Sequence, residues 1–151
     1  MTQKFITHSG IKVDQAACAW LIKRFINPDA ELLFVPAQQV LATAASDNAI
    51  PYAFGKEIEL TYHGDECSFE AFLKYYQLSD NPVLAGLAKI VRSAEILSQQ
   101  ALAPEGAGLE AIAFGLRLQN QSDQKLLEIY QPIFDALYLY CQAKARSNPK
   151  H

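Results

Sequence analysis

Residues 13–26 read VDQAACAWLIKRFI, and this stretch decides the fold that the sequence predicts. Apolar residues recur in it at helical spacing and give a helix one apolar face: Val13, Ala17, Trp20, Leu21 and Phe25. Asp14 suits the N-cap, since a carboxylate is stabilised at the positive start of a helix. Asn27 and Pro28 end the pattern. We therefore predict a helix from Asp14 to about Ile26.

The rest of the chain predicts a small sheet and then a set of helices. Strands are expected at 31–35, 50–54 and 58–62, because short apolar or alternating runs there are bounded by turn residues. Helices are expected at 37–45, 69–78 (capped by Ser68), 82–97, 104–118 and from Ser122 or Asp123 to 145. Pro132 should kink or break the last helix. The predicted fold class is α+β and mostly α-helical, with a small sheet from the N-terminal half packed on a helical bundle.

Length and composition favour one globular domain. The chain has 151 residues, of which 50% are hydrophobic, so it can bury a sizeable core. We expect a single domain over 1–145 and a frayed polar tail over 146–151.

Charge and hydrophobic patterning argue against two classes of partner. The net charge is -3, and there is no block of Lys and Arg, so nucleic-acid binding by this chain alone is not expected. Apolar runs stay shorter than the ~20 residues of a membrane span, and the N-terminus lacks the apolar core of a signal peptide. We therefore expect a cytoplasmic protein.

The cysteines point to chemistry rather than to disulfides. There are three, widely spaced, which is not a disulfide framework. Cys18 and Cys67 both fall near predicted helix starts, where unpaired N–H groups favour the thiolate and lower the thiol pKa. Cys141 lies in an aromatic stripe of the last helix and is expected to be a core residue.

The spacing of acids, cysteines and a histidine predicts a common site. Asp14 and Cys18 are four residues apart and share a helix face, and His63 and Cys67 are four apart across a loop. Glu70 lies one helical turn beyond Cys67. If the two segments meet, these five side chains form a mixed site for a divalent metal, zinc or iron. A dithiol redox pair of Cys67 and Cys18 fits the same spacing.

Each candidate also has a purely structural interpretation. Cys18 and Trp20 are compatible with the core, and Asp14 with a simple helix cap. Glu70 suits the first turn of a helix, and His63 an ordinary loop. Arg24 offers a guanidinium to an oxyanion, but it also suits a surface ion pair with Asp29 or Glu31.

Four segments together resemble the chromate-resistance protein ChrB family. The stretch over 13–26 resembles the family segment V-D-R-x-A-C-P-W-L-I-x-R-F-I. Residues 63–69 (HGDECSF) resemble its H-x-G-x-x-C-T/S-F segment, with one residue fewer between His and Gly. The phrases at 32–37 and 135–141 are also similar. The matching positions of interest are Asp14, Cys18, Trp20, Arg24, His63 and Cys67. The chain departs from the family pattern at Gln15, where a basic residue is usual, and at Ala19, where proline is usual.

The resemblance implies a role connected with chromate resistance, in a chain that corresponds to the C-terminal domain of longer, regulator-like relatives. Three functions stay open. The first is a sensor or detoxification domain that binds a metal ion or a small inorganic anion. The second is a thiol-dependent oxidoreductase for chromate reduction or sulfur handling, and the third is an interaction module without a site. A homodimer is compatible with the aromatic stripe on the last helix.

Overall fold

The structure, a computed structural model, describes residues 2–147 and contains a three-stranded parallel sheet. The strands are β1 (Lys4–His8), β2 (Glu31–Val35) and β3 (Ile50–Pro51), in the order β2-β1-β3. The central strand pairs with β2 over its whole length, from Lys4 opposite Glu31 onward, and with β3 at only two positions.

Sequence reasoning found β2 but missed β1 and misread the segment after β3. Five residues at the end of a chain give too short a pattern to recognise, and β1 is held by its two neighbours. The predicted strand over 58–62 is wrong. Ala53 and Gly55 take positive φ values of 50° and 61°, which turn the backbone out of the sheet. One backbone bond, from Ala53 N to the carbonyl of Leu60 (2.7 Å), joins the two segments that were predicted as strands over 50–54 and 58–62.

Six α-helices accompany this sheet within residues 2–147: α1 (Val13–Leu21), α2 (Val40–Asp47), α3 (Ser68–Tyr75), α4 (Pro82–Glu95), α5 (Glu105–Leu118) and α6 (Asp123–Ser147). A π-helical turn, Ile22–Ile26, carries α1 to the predicted end, and a 3₁₀ turn, Ala37–Gln39, precedes α2. Of the two effects predicted at Pro132, a kink or a break, the structure excludes the break, because α6 continues through this residue. The predicted frayed tail begins inside α6, and its residues 148–151 lie outside the described residues.

The core forms around α1, all nine of whose residues are buried. This helix contacts α3, α4, α5 and α6. Phe5 faces this main core, whereas Ile6, on the other face of β1, packs with Val40 and Ala44 of α2. Close helix packing also explains Gly106, where a Cβ would lie 1.8 Å from Ser93 Oγ.

The predicted fold class is confirmed: the protein is α+β and mostly helical. No helix in the described range 2–147 has both the length and the apolar character needed to cross a membrane.

Candidate functional site

Asp14 connects the starts of two helices. It lies in the first turn of α1, but its carboxylate reaches across to α3 and accepts backbone hydrogen bonds there. Ser68 N donates to Oδ2 at 2.7 Å and Phe69 N donates to Oδ1 at 3.0 Å. Asp14 therefore caps α3, and the prediction that it caps its own helix is wrong.

The start of α1 is satisfied by other side chains, which leaves Asp14 free for this role. Lys12 is the N-cap residue of α1, and its backbone N–H donates to Gln15 Oε1 at 3.0 Å. The backbone N–H of Asp14 itself donates to Glu95 Oε1, at the end of α4, at 2.9 Å. The N–H groups of Lys12 and Asp14, at the start of α1, therefore donate to Gln15 and Glu95 and do not need the Asp14 carboxylate.

Both candidate cysteines lie next to Asp14. Cys18 is one turn further along α1, with its Sγ 3.9 Å from Asp14 Oδ1. Cys67 is the N-cap residue of α3, immediately before Ser68, so the predicted cap at Ser68 is displaced by one residue. The exposed fraction is 0% for Cys18 and 1% for Cys67, and both thiols are free.

The environment of these thiols favours their protonated form. Burial raises the pKa of both thiols well above the ordinary range, and the negative charge of Asp14 adds to this. The prediction that the helix starts lower the two pKa values is therefore wrong. The first two N–H groups of α3, those of Ser68 and Phe69, are bonded to Asp14, and the N–H of Glu70 lowers the pKa of Cys67 by less than burial raises it. Burial also raises the pKa of Asp14, against the lowering effect of the N–H donors of Ser68 and Phe69.

Glu70 holds Cys67 and is itself held by Arg92. Glu70 Oε1 accepts from Cys67 N at 2.9 Å, closing a capping box, and lies 3.5 Å from Cys67 Sγ. Glu70 Oε2 lies 3.3 Å from Arg92 Nη2, in a largely buried ion pair. Arg92 also donates to the carbonyl of Asp65, in the loop before α3, at 3.4 Å. Sequence reasoning did not identify Arg92, because its contacts cross from α4.

The structure places His63 apart from this group. Its Nε2 lies 2.9 Å from the carbonyl of Glu59, and its backbone forms a bridge with Glu66. Asp14, Cys18, Cys67 and Glu70 form a chain of contacts and do not surround one point. In the part of the chain that the structure describes, no group of three or more His, Cys, Asp or Glu side chains is placed to hold a metal ion. The zinc or iron site stays a prediction that this arrangement does not support.

Trp20 and Arg24 both bind Asp135 of α6. Trp20 is buried, with Nε1 donating to Asp135 Oδ1 at 2.8 Å. Arg24 donates from Nε and Nη2 to the two oxygens of Asp135, at 2.9 and 2.8 Å. The predicted ion pair with Asp29 or Glu31 is wrong, and the guanidinium fork that we expected to hold an anion is occupied by a carboxylate.

A cavity of about 430 Å³ opens beside the acid–thiol cluster. It is lined by residues from the end of β1, the segment after β3, the starts of α1 and α3 and the end of α4, among them His8, Lys12, Asp14, Cys67, Ser68 and Glu95. In the order β2-β1-β3, the chain passes from the central strand β1 to β2 on one side and then crosses to β3 on the other. Ligands of parallel α/β sheets bind in the crevice at the carboxyl ends of the strands where the order reverses in this way. The sheet topology and the cavity therefore both indicate a ligand site at the carboxyl ends of the strands, beside the acid–thiol cluster.

Three of the lining residues were missed from the sequence: His8, Lys12 and Glu95. His8 ends β1, and His8 Nδ1 lies 2.9 Å from the carbonyl of Ser9, which places the proton on Nδ1. Burial raises the pKa of Glu95, against the lowering effect of the hydrogen bond from Asp14 N, and the charge of the Asp14 carboxylate raises it further. Had β1 been recognised in the sequence, His8 would have been placed at the end of a strand and Lys12 in the turn that follows it. Both positions border the crevice beyond the strand ends.

Together the fold and the site define a small, mostly helical α+β domain with a buried acid–thiol cluster beside a polar cavity. The chain belongs to the ChrB family, since the family's sequence model described as "ChrB, C-terminal domain" matches residues 5–141. It is 30% identical over 138 residues to Protein ChrB of Cupriavidus metallidurans strain CH34, covering 91% of this chain and 40% of that protein. The chain thus spans well under half of the relative's length. No solved structure matches it.

Proposed function

We propose that this chain serves chromate resistance by binding chromate, a small inorganic oxyanion, in the cavity beside Cys67. Membership of the ChrB family supports the role in chromate resistance. The observation that carries the choice of site is the position of Cys67, which lines a cavity that Lys12 and His8 also line.

The distribution of charge favours one side of the cavity for the anion. The N-terminus of α3, an ordinary anion site, is already filled by the Asp14 carboxylate. Lys12 is exposed and forms no ion pair within residues 2–147, so its ammonium group is available to an oxyanion. We therefore place the anion against Lys12 and His8, with Cys67 within reach.

The protonated thiol of Cys67 suits reaction with chromate. The thiol displaces an oxygen of hydrogen chromate, so that a sulfur–chromium bond forms and a chromium–oxygen bond breaks. The released hydroxide takes the thiol proton and leaves as water, and chromium stays hexavalent. Glu70 Oε1, 3.5 Å from the sulfur, is positioned to carry that proton. This step needs no reductant.

A second candidate, the thiol-dependent oxidoreductase, is favoured by the approach of Cys18 and Cys67 to the same carboxylate. In that reaction Cys18 attacks the sulfur of the chromium–thiol ester. A disulfide forms, the sulfur–chromium bond breaks, the Cys18 proton passes to a chromium-bound oxygen, and two electrons reduce chromium(VI) to chromium(IV). The raised pKa of Cys18 argues for slow attack in this step at neutral pH, because the thiolate is the attacking form in thiol exchange.

Diffraction from crystals soaked in chromate tests the proposed site. We expect an anomalous scattering peak from chromium in the cavity, close to Cys67 Sγ and Lys12 Nζ. A peak confined to other surfaces, or none at saturating chromate, would contradict the proposal. Mass spectrometry of the same protein separates the candidates, because a Cys18–Cys67 disulfide formed with chromium reduction supports the oxidoreductase.

A further inference from the structure

We infer that Glu95 makes this cavity selective for oxyanions that carry a proton, so that hydrogen chromate is bound and sulfate is refused. The inference rests on the proposed function, since it concerns the same cavity. It names a specificity-determining residue that the motifs of the sequence do not include.

Glu95 is fixed in place by one of its oxygens. Its Oε1 accepts the backbone N–H of Asp14 at 2.9 Å, at the junction of α4 and α1. Glu95 lines the cavity, and its Oε2 forms no hydrogen bond with any residue over 2–147. Glu95, a residue of the cavity wall, therefore has one carboxylate oxygen whose lone pairs are free.

The cavity wall combines this acceptor with cationic or donor groups. Lys12 has only donors, and its ammonium lies close enough to Glu95 to influence the carboxylate. An anion held between Lys12 and Glu95 must accept a hydrogen bond on one side and donate one on the other. A protonated oxyanion does both, whereas a fully deprotonated one presents an oxygen to the carboxylate.

The two competing anions differ in this respect. Hydrogen chromate loses its last proton near neutral pH, whereas hydrogen sulfate has already lost its proton in moderately acidic solution. Sulfate has no proton to donate, so the Glu95 carboxylate would stay without a hydrogen bond and would repel the anion. Discrimination between similar ligands needs such a repulsive contact. A site that accepts a hydrogen bond from its ligand binds analogues without that donor much more weakly. This discrimination is larger than a difference in shape alone can give.

The group that gains or loses a proton here is the bound oxyanion. The charged groups around Glu95 determine the electrostatic potential at that anion. The charged or titratable groups that face Glu95 come from each neighbouring element: Lys12, Asp14 and Cys18 at α1, Arg117 on α5, Tyr130 on α6, and His8, Tyr62 and Cys67 around the cavity. Burial raises the pKa of Glu95 and the charge of Asp14 adds to this, whereas the hydrogen bond from Asp14 N and the charges of Lys12 and Arg117 favour the anionic carboxylate.

Equilibrium dialysis of the purified chain against chromate and against sulfate, on both sides of neutral pH, tests the inference. We expect chromate to bind at least about tenfold more tightly than sulfate, a difference of about 1.4 kcal/mol. Chromate binding should weaken as the pH rises and removes the proton from the anion. Glu95→Gln keeps an oxygen for Asp14 N and adds donors, so sulfate binding should rise and the preference should fall about tenfold. Glu128→Gln, an exposed change on α6, should leave the preference intact.

The outcomes separate this inference from the proposed function. Equal binding of chromate and sulfate by the wild-type chain, or an unchanged preference in a folded Glu95→Gln variant, overturns the selectivity and leaves the chromate site standing. An absence of chromate binding by the wild-type chain overturns both. Circular dichroism of each variant establishes that it is folded.

Discussion

The backbone N–H of Ser68 donates to Oδ2 of Asp14 at 2.7 Å, across 54 positions of sequence. This bond ties the start of α3 to the start of α1. It also places Cys67, the residue before Ser68, and Cys18, one turn beyond Asp14, on the same carboxylate. The acid–thiol cluster is therefore a consequence of how two helix starts meet.

The Asp14 carboxylate should stabilise the whole fold. In Asp14→Asn, the amide has one acceptor oxygen in place of two and turns an NH₂ group toward an N–H donor of α3. Because a buried donor is then left without a partner, we expect a loss of about 1–3 kcal/mol in the free energy of unfolding. Urea denaturation measures it, with Asp47→Asn, an exposed change on α2, as the matched control. Equal stability of the two variants would show that the α3 cap contributes nothing.

The buried thiols should make stability depend on alkaline pH. The folded pKa of Cys67 lies well above its ordinary value near 9.0, so the folded state keeps a proton that the unfolded state loses. The stabilisation is present below the unfolded pKa and declines as the pH rises from there towards the folded pKa. The slope is about 1.4 kcal/mol per pH unit for one thiol.

Replacement of Cys67 by serine isolates this effect. Serine is also a good N-cap residue, so the variant should fold. In urea titrations at alkaline pH, we expect the stability of Cys67→Ser to decline less steeply than that of the wild type. Cys141→Ser, which removes a thiol whose pKa is raised less, should change the slope less. Identical slopes in wild type and Cys67→Ser would contradict a protonated, buried thiol.

Lys12 should contribute affinity for chromate. Its ammonium group is exposed and lies at the cavity, so Lys12→Gln removes a charged hydrogen-bond donor. We expect affinity to fall about tenfold and the salt dependence of binding to weaken, since exposed charges are screened. Dialysis at two ionic strengths measures both quantities. Lys125→Gln on α6 is the control, and an equal effect from both variants would remove Lys12 from the site.

Arg24, by contrast, should not affect chromate binding. Its guanidinium binds both oxygens of Asp135, and Arg24 is not among the residues that line the cavity. Arg24→Gln should leave chromate affinity within about twofold and lower stability by about 0–1 kcal/mol, because the pair is half exposed. A large loss of chromate affinity in this variant would restore the sequence-based prediction that Arg24 holds the anion.

Local patterns predicted the helices well, because they depend on neighbouring residues. The apolar spacing of 13–26 indicated α1, and the turn residues marked its end. The cluster of Asp14, Cys18, Cys67 and Glu70 was predicted from the assumption that two segments meet, and the structure brings these residues into contact. The predicted lowering of the thiol pKa values was wrong. Asp14 accepts the first N–H groups of α3, and burial and the charge of Asp14 raise both pKa values.

Features that depend on contacts between residues far apart in the sequence could not be predicted from local patterns. The short strand β1 is stabilised by pairing with β2 and β3, which no local pattern reports. Glu95 reaches the cavity only because the end of α4 meets the start of α1. His63 has the right spacing to Cys67, but its backbone bridge with Glu66 and its bond to Glu59 direct it elsewhere.

The central claim is that Cys67 reacts with chromate bound in this cavity, and the absorption spectrum of the purified chain mixed with chromate tests it most directly. A chromium–thiol ester has a charge-transfer band distinct from that of free chromate. We predict that this band forms with the wild-type chain and with Cys141→Ser, and that it is absent with Cys67→Ser. A band that persists in a folded Cys67→Ser variant, or that never forms in the wild type, would contradict the account.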